Sequence, residues 1–596
     1  MQNLRMSPAR SQDAIAASST DEFALPLVVA VTGHRDLLDS EIEAIRTRVR
    51  SFLQELRDRY PANRLVVLSA LAEGADLLVA EVAVELAIEL IVPLPKPREI
   101  YLRGFTSEAA KQRFATLCTS ASQVFELPSS KPPVPEEFSA SDWERDYPYA
   151  QLGVYLSAHC HILIAIWDGK PSHHLGGTAQ VVKFHHDDVM PGLTSKTATS
   201  QQMLVDDESD LVFHIVCSRD REDSAPHADF TALDWFWYTK DEECPRSKEL
   251  PTQHELIFRR SAEFSEDATR MAAEIELGKY SLLEDSRHAD LPEGIENVDH
   301  FFYIADFLAI FYQRKTVRTL LITHVLAFLM GMMFIFYSDL ESMRIFLLAF
   351  LGFFAAALLT NVLAKRGSWQ RKYLDYRTLA EGLRVQFYWA AAGASADNKW
   401  KFTHDSFLQS QDPEFGWIRN VMRVAGFRCD AENKQSSSGL DFTLQQWVGN
   451  FSEGHLSYFQ RKTHDRIKKR KLTRLQGIIS LVTSIVIVFI FLVFGPSLPG
   501  LASNVLMVTM AGALLGFGVR EGYAYATAEK ELIKQYEYML GIYSNAQRRL
   551  AEADDDAEKR QILLALGQSA LNEHSDWLLM HRERSLDEGE IWRMDS

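Results

Sequence analysis

The chain has 596 residues, 24% of them charged, with a formal net charge of −17. That length predicts several domains, and a mean hydropathy of −0.13 requires most of the chain to sit in water. The acidic balance argues against nucleic acid as a partner, because binding its phosphates needs a basic surface.

Residues 1–24 are polar and lack the basic-then-apolar pattern of a cleaved signal, so they read as a disordered tail. From Leu25 the pattern is strand, loop, helix, repeated. The apolar run 27–31 ends in Thr32-Gly33-His34-Arg35-Asp36 and precedes an amphipathic helix over about 40–60. A second run, 64–68, ends in Ser69-Ala70-Leu71-Ala72-Glu73-Gly74-Ala75-Asp76 and another helix, and Ile91-Val92 leads into Pro93-Leu94-Pro95. A later strand over 161–167 ends in Asp168-Gly169 and reaches Gly176-Gly177-Thr178 before a helix at Gln180. Short buried strands alternating with helices predict a Rossmann-like α/β domain with a parallel, doubly wound sheet, whose ligands bind at the carboxyl ends of the strands.

The unusual residues fall at those ends. Gly33, Gly74, Gly176 and Gly177 permit close backbone approach, and the helix starts that follow offer amides to an anion. Arg35 adds a fork-shaped cation suited to phosphate. The expected ligand-binding set is Thr32, Gly33, His34, Arg35, Ser69, Glu73, Gly74, Asp76, Asp168, Gly169, Gly176, Gly177 and Thr178, with helix capping an equally simple role for Asp76. His159 and His161 alternate on a strand, while His173, His174, His185, His186, Asp187 and Asp188 lie in or near loops, where a metal site is conceivable. Their spacings match no standard ligand pattern, which favours solvated residues. The cysteines Cys118, Cys160, Cys217, Cys244 and Cys429 lie far apart without a CxxC pair, which fits a reducing cytoplasm.

The order VTGHR, SALAEGAD, LIAIWDG and GGTA resembles the SLOG superfamily of Rossmann-like domains, over about residues 25–219. The resemblance implies either a hydrolase that releases a base from a nucleotide or a sensor of nucleotide-type ligands, including cyclic nucleotides and ADP-ribose derivatives. The hydrolases of that superfamily follow their GGxGT motif with a catalytic glutamate. Here Gly176-Gly177-Thr178 is followed by Ala179, Gln180 and Val181, with no carboxylate there. The departure leaves binding intact and removes the motif's support for catalysis, and no cofactor beyond the nucleotide-type ligand is expected. Glu73 and Asp168 are the remaining carboxylates able to serve as a base.

Four apolar runs of membrane length follow, at 319–337, 345–364, 477–494 and 501–519. The links within each pair are 338–344 and 495–500, so each pair is expected to form a hairpin. Arg314, Lys315, Arg318, Lys365, Arg366, Arg371 and Lys372 flank the first pair, and a basic run from Arg461 to Arg474 precedes the second. By the tendency of basic flanks to stay inside, everything except the two turns is expected in the cytoplasm of a bacterial inner membrane, both termini included. The spans hold no charge, which argues against an ion relay. Gly512, Gly516 and Gly518 form a small-residue face. After the first pair, the AEGLR sequence at 380–384 resembles the SLATT group of two-span effector domains, found beside SLOG sensors in bacterial conflict systems. Arg377, Glu381 and Arg384 are spaced to pair on one helix face.

The expected organisation is a tail (1–24), a nucleotide-binding domain (25–220), a linker with a helical segment (221–298), a first transmembrane unit (299–400), a connector (401–440) and a second transmembrane unit (441–596). The expected function is a homo-oligomeric membrane effector, gated by a nucleotide second messenger and acting in antiphage defence. A membrane-anchored phosphoribohydrolase and a non-channel scaffold are the alternatives.

Overall fold

The computed structural model describes residues 22–128, 134–135, 138–172, 174–187, 189–193, 210–240, 245–284, 286, 289–339, 343–394, 407–408, 413–432, 434–450, 452 and 454–583. They divide into two compact units. One runs to Ile304 and takes in Gly382–Gly439; the other consists of Ala305–Glu381 and the chain from Leu440 onward.

The first unit is built on an eight-stranded sheet. Its strands are β1 (Pro26–Gly33), β2 (Arg64–Leu68), β3 (Glu89–Leu94), β4 (Gln123–Glu126), β5 (Ile162–Trp167), β6 (Val212–Val216), β7 (Trp235–Tyr238) and β8 (Arg246–Ser247), in the order β4-β3-β2-β1-β5-β6-β7-β8. The first six pair in parallel, with Val29 opposite Val67 and Thr32 opposite Ala165; β7 and β8 add an antiparallel edge. Strands β1, β2 and β5 are nearly continuous apolar runs because helices cover both faces. Among those helices are α1 (Ile42–Arg59), α2 (Ala75–Glu85), α3 (Glu108–Ser120), α4 (Ala140–Ala158), α5 (Thr178–Asp187) and α6 (Thr252–Arg270). Helix α1 buries Ile45, Val49, Phe52, Leu53 and Leu56 at helical spacing. The sheet thus continues beyond the boundary expected at 220. The run Trp235-Phe236-Trp237-Tyr238 lacks polar alternation, and its pairing to β6 and β8 marks it as a strand.

Four long apolar helices begin within the next stretch and the C-terminal part. They are α7 (Ile295–Asp339), α8 (Arg344–Arg366), α11 (Gly454–Phe494) and α12 (Gly500–Ala526). Each is long and apolar enough to cross a membrane, yet at most 17% of their most apolar windows is buried by protein. So much unburied apolar surface requires a lipid environment, which makes this a membrane protein. Between them lie α9 (Trp369–Ala392) and α10 (Gly416–Ala425), and the chain closes with α13 (Glu529–Glu552) and α14 (Asp556–Glu583).

Small residues set the close approaches among the apolar helices. A Cβ at Gly331 of α7 would collide with Leu515 of α12, and one at Gly512 would come within 3.2 Å of Met332 Sδ. Ser484 of α11 donates to its own Ser480 carbonyl (3.0 Å) and lies 3.2 Å from the Met510 carbonyl of α12, so its polarity is absorbed internally. At the polar end of the same unit Arg377 bridges Asp306 at 2.9 Å and also pairs with Glu381. Arg384, in the other unit, stacks on Phe302, 5.1 Å from its ring centre.

Helix α10 belongs to the sheet unit although it follows α7–α9 in the chain. All ten of its residues are buried, and Val424 and Phe427 share a core with Val28, Ala30, Leu163 and Val212 of the sheet. The region expected to be a connector is therefore part of the sheet unit's core. Its Arg419, Asn420 and Arg423 disguise it in the sequence, yet they are 4–5% exposed.

Candidate functional site

The strand order reverses between β1 and β5, so a crevice opens where their carboxyl ends diverge. Two side chains bridge it. His34, just after β1, places Nε2 3.1 Å from Oδ1 of Asp168, just after β5. Asp168 is 1% exposed. The Lys170 amide donates to its Oδ1 (3.1 Å), while Arg221 and Arg219 approach Oδ2 at 3.5 and 3.9 Å. Burial alone would raise its pKa, but His34, the Lys170 amide and Arg219 outweigh it and hold the carboxyl below its ordinary value. Asp168 therefore stays ionised and orders the cations around it.

On the β2 side of the crevice, Tyr149 of α4 is a hub. The exposed Arg35 guanidinium lies 5.4 Å from its ring centre and Lys96 Nζ, following β3, lies 4.6 Å from it. Gly176 packs on the same turn of α4, since a Cβ there would come within 2.5 Å of the Ala150 nitrogen and 2.9 Å of Tyr149 Cβ. The start of α5, with Gly177 and Thr178, thereby follows directly on this contact with the turn of α4 that carries Tyr149. Asp76, 6% exposed, sits beneath; burial pushes its pKa up to about 7 against the opposing pull of the Ala72 amide and Arg35. The Tyr101 hydroxyl is buried in the same cluster and has no hydrogen-bond partner among the described residues.

The expected site residues separate into two groups. Arg35, His34, Asp168, Gly176, Gly177 and Thr178 border the crevice, with Asp76 as its floor. The others serve the protein's own chain. A Cβ at Gly74 would strike the backbone carbonyls of His34 and Arg35, and its φ is +83°. The Ala75 amide is taken by the His34 carbonyl at 3.1 Å, so the start of α2 is not open to an anion as expected. Gly33 packs on Ala75 and Ile166, and Thr32 is a buried ladder residue. Gly169, at φ +77°, lies under the Phe230 ring. Ser69 is fully buried and closes its turn by accepting from the Leu71 amide at 3.2 Å. Glu73 accepts from the Thr106 amide (2.8 Å) and hydroxyl (3.1 Å) and from the Ser107 amide (3.3 Å), which anchors the start of α3.

Several histidines expected to be solvated are structural. His161 Nδ1 accepts from the Val28 amide at 2.8 Å, which leaves Nε2 to donate to the Asn420 carbonyl at 3.3 Å. His159 Nδ1 donates to the Arg423 carbonyl at 2.8 Å. His185 and His186 are also buried; His173 and Asp188 lie outside the described residues. No cluster of three or more metal-ligating side chains occurs among the described residues. Sequence reading missed Lys96, Tyr101, Tyr149, Arg219 and Arg221, which come from the loops after β3 and β6, a short helix at Arg98–Tyr101 and α4, and share no motif. A cleft of about 280 Å³ lined by Phe52, Trp235, Trp237 and Lys248 belongs to the antiparallel edge and not to this crevice.

The crevice can hold an anion. It presents the Arg35 fork, the Lys96 ammonium and a helix start, with an aromatic face between the two cations. Comparison with protein-family models, with curated proteins and with solved structures returned no match.

Proposed function

We propose that the chain is a ligand-gated membrane effector whose sheet unit binds a nucleotide-derived second messenger. The observation that carries this reading is the convergence of Arg35 and Lys96 on Tyr149 beside the β1–β5 switch point. A phosphate would take the two cations and the α5 amides, and a ribose or base would lie on the aromatic and carboxylate floor. The sequence resemblance to SLOG sensors and SLATT effectors supports the same assignment. In this reading the apolar helices form two hairpins in a bacterial inner membrane, with all but the two short turns in the cytoplasm, and copies assemble so that messenger binding opens or disrupts the bilayer during antiphage defence. Binding drives the change only through unequal affinity for two states.

The test is ion leakage from liposomes carrying the full protein with its sheet unit outward, challenged with cyclic nucleotides and ADP-ribose derivatives. One ligand should trigger leakage, and Arg35→Ala should abolish it while leaving the melting temperature unchanged. Binding without leakage, with the ligand recovered as free base and ribose phosphate, would replace this reading with the hydrolase.

A further inference from the structure

Helix α11 carries a charged surface that the gating scheme does not use. Its inward stripe is occupied: Arg466 lies 5.0 Å from the Tyr536 ring centre, and Thr473 accepts from Arg520 at 3.0 Å. The outward positions of the same turns are Lys468, Lys469, Lys471, Leu472, Arg474 and Leu475, all exposed. None of these four cations has a carboxylate partner among the described residues, and no Asp or Glu occurs anywhere from 466 to 520. The acids that follow, Glu521 and Glu529, both pair with Arg520. Asp465, one turn before Lys468 and Lys469, forms no ion pair with either, so among the described residues no carboxylate pairs off the cationic repulsion within these two turns.

Depth along the helix indicates what relieves it. The apolar run begins at Gly477, so Arg474 stands about 4.5 Å outside it and Lys468 about 13.5 Å, at about 1.5 Å per residue. A headgroup layer is roughly 5–8 Å deep on each side of the hydrocarbon. Long basic side chains reach several ångströms along the helix axis toward it. Leu472 and Leu475, 59% and 53% exposed among these cations, have no protein surface to cover them. Their apolar ends suit the hydrocarbon boundary as the ammonium groups suit phosphate.

We propose that Lys468, Lys469, Lys471 and Arg474, with Leu472 and Leu475, form a docking surface for the phosphate headgroups of anionic lipid. The inference is independent of the messenger and of which face of the membrane the helix enters.

The test uses the full protein in phosphatidylcholine vesicles doped with spin-labelled phosphatidylglycerol or spin-labelled phosphatidylcholine, with the motionally restricted fraction read by electron paramagnetic resonance. At low salt the anionic lipid should be preferred by about fivefold or more, which is what one basic side chain near an anionic surface supplies. For the unmodified protein the preference should fall toward one at about 1 M salt, where the Debye length is about 3 Å. K468Q/K469Q/K471Q/R474Q should abolish it at low salt, and the charge-conserving K468R/K469R/K471R should retain it. A preference near one in the unmodified protein at low salt overturns the proposal whether or not the glutamine variant folds. An undiminished preference in a folded glutamine variant overturns it equally.

Discussion

At the residue scale, Asp76 is a crevice group whose burial changes its chemistry. Its folded pKa of about 7 lies above the value of an unfolded aspartate, with burial as the leading cause. Between about pH 4 and 7 the folded chain holds a proton that the unfolded chain has released. This group's contribution to stability is therefore greatest at low pH and is lost as the pH rises through 7. His159, His161 and His214 work in the opposite direction, because burial lowers each to about 4, and their contribution is lost as the pH falls from 6.5 toward 4. Raw stability against pH mixes the two. Subtracting the Asp76→Asn curve from the unmodified one should leave a difference that declines between pH 4 and 7; a flat difference in denaturant unfolding would show that Asp76 has an ordinary pKa. The residue scale is also where sequence reading was most uneven. Gly74 was legible as a special position, but the reason is a collision with the His34 and Arg35 carbonyls. Tyr149 carried no signal, because its role arises only when loops after β1 and β3 meet α4.

At the scale of elements, β1, β2 and β5 could be read because buried parallel strands are written as uninterrupted apolar runs. Helices α7 and α11 could be read because lipid imposes a length and a composition. Helix α10 could not, since its polar residues Arg419, Asn420 and Arg423 are buried against sequence expectation, Arg419 donating to the Phe407 carbonyl at 3.0 Å. That helix is fixed to the base of the sheet by His161, whose Nδ1 must stay unprotonated to accept from Val28. His161→Ala strands that buried amide and should cost about 1–3 kcal/mol. Acidification should act at the same place. Hydrogen exchange of α10 amides is expected to accelerate between pH 6.5 and 4.5, after correction for intrinsic rates, before that of β1. Equal protection of α10 at both values would mean that His161 does not govern its attachment.

For the whole molecule, three helices carry the chain across the division between its compact units. The helix Ser437–Thr443 crosses at Gly439–Leu440, and the other two bound the stretch that contains α8. Helix α7 crosses at Ile304–Ala305 and α9 at Glu381–Gly382. Both ends of the stretch that contains α8 are thus rooted in the sheet unit through continuous helix, which transmits rotation and translation far better than a loop does. If messenger binding is felt at the membrane, these crossings are the covalent route. A proline at Ala305 removes a hydrogen bond from the helix interior and clashes with the preceding turn, at a local cost of about 3 kcal/mol. Ala305→Pro should therefore leave ligand affinity within a few-fold of the unmodified protein while suppressing ligand-triggered leakage at least tenfold. Isothermal titration and liposome leakage on the same preparation would measure both. Leakage that survives the substitution would show that the signal does not pass along α7. Loss of binding together with leakage would mean that α7 stabilises the crevice itself, and the two units would then have to be treated as one energetic whole.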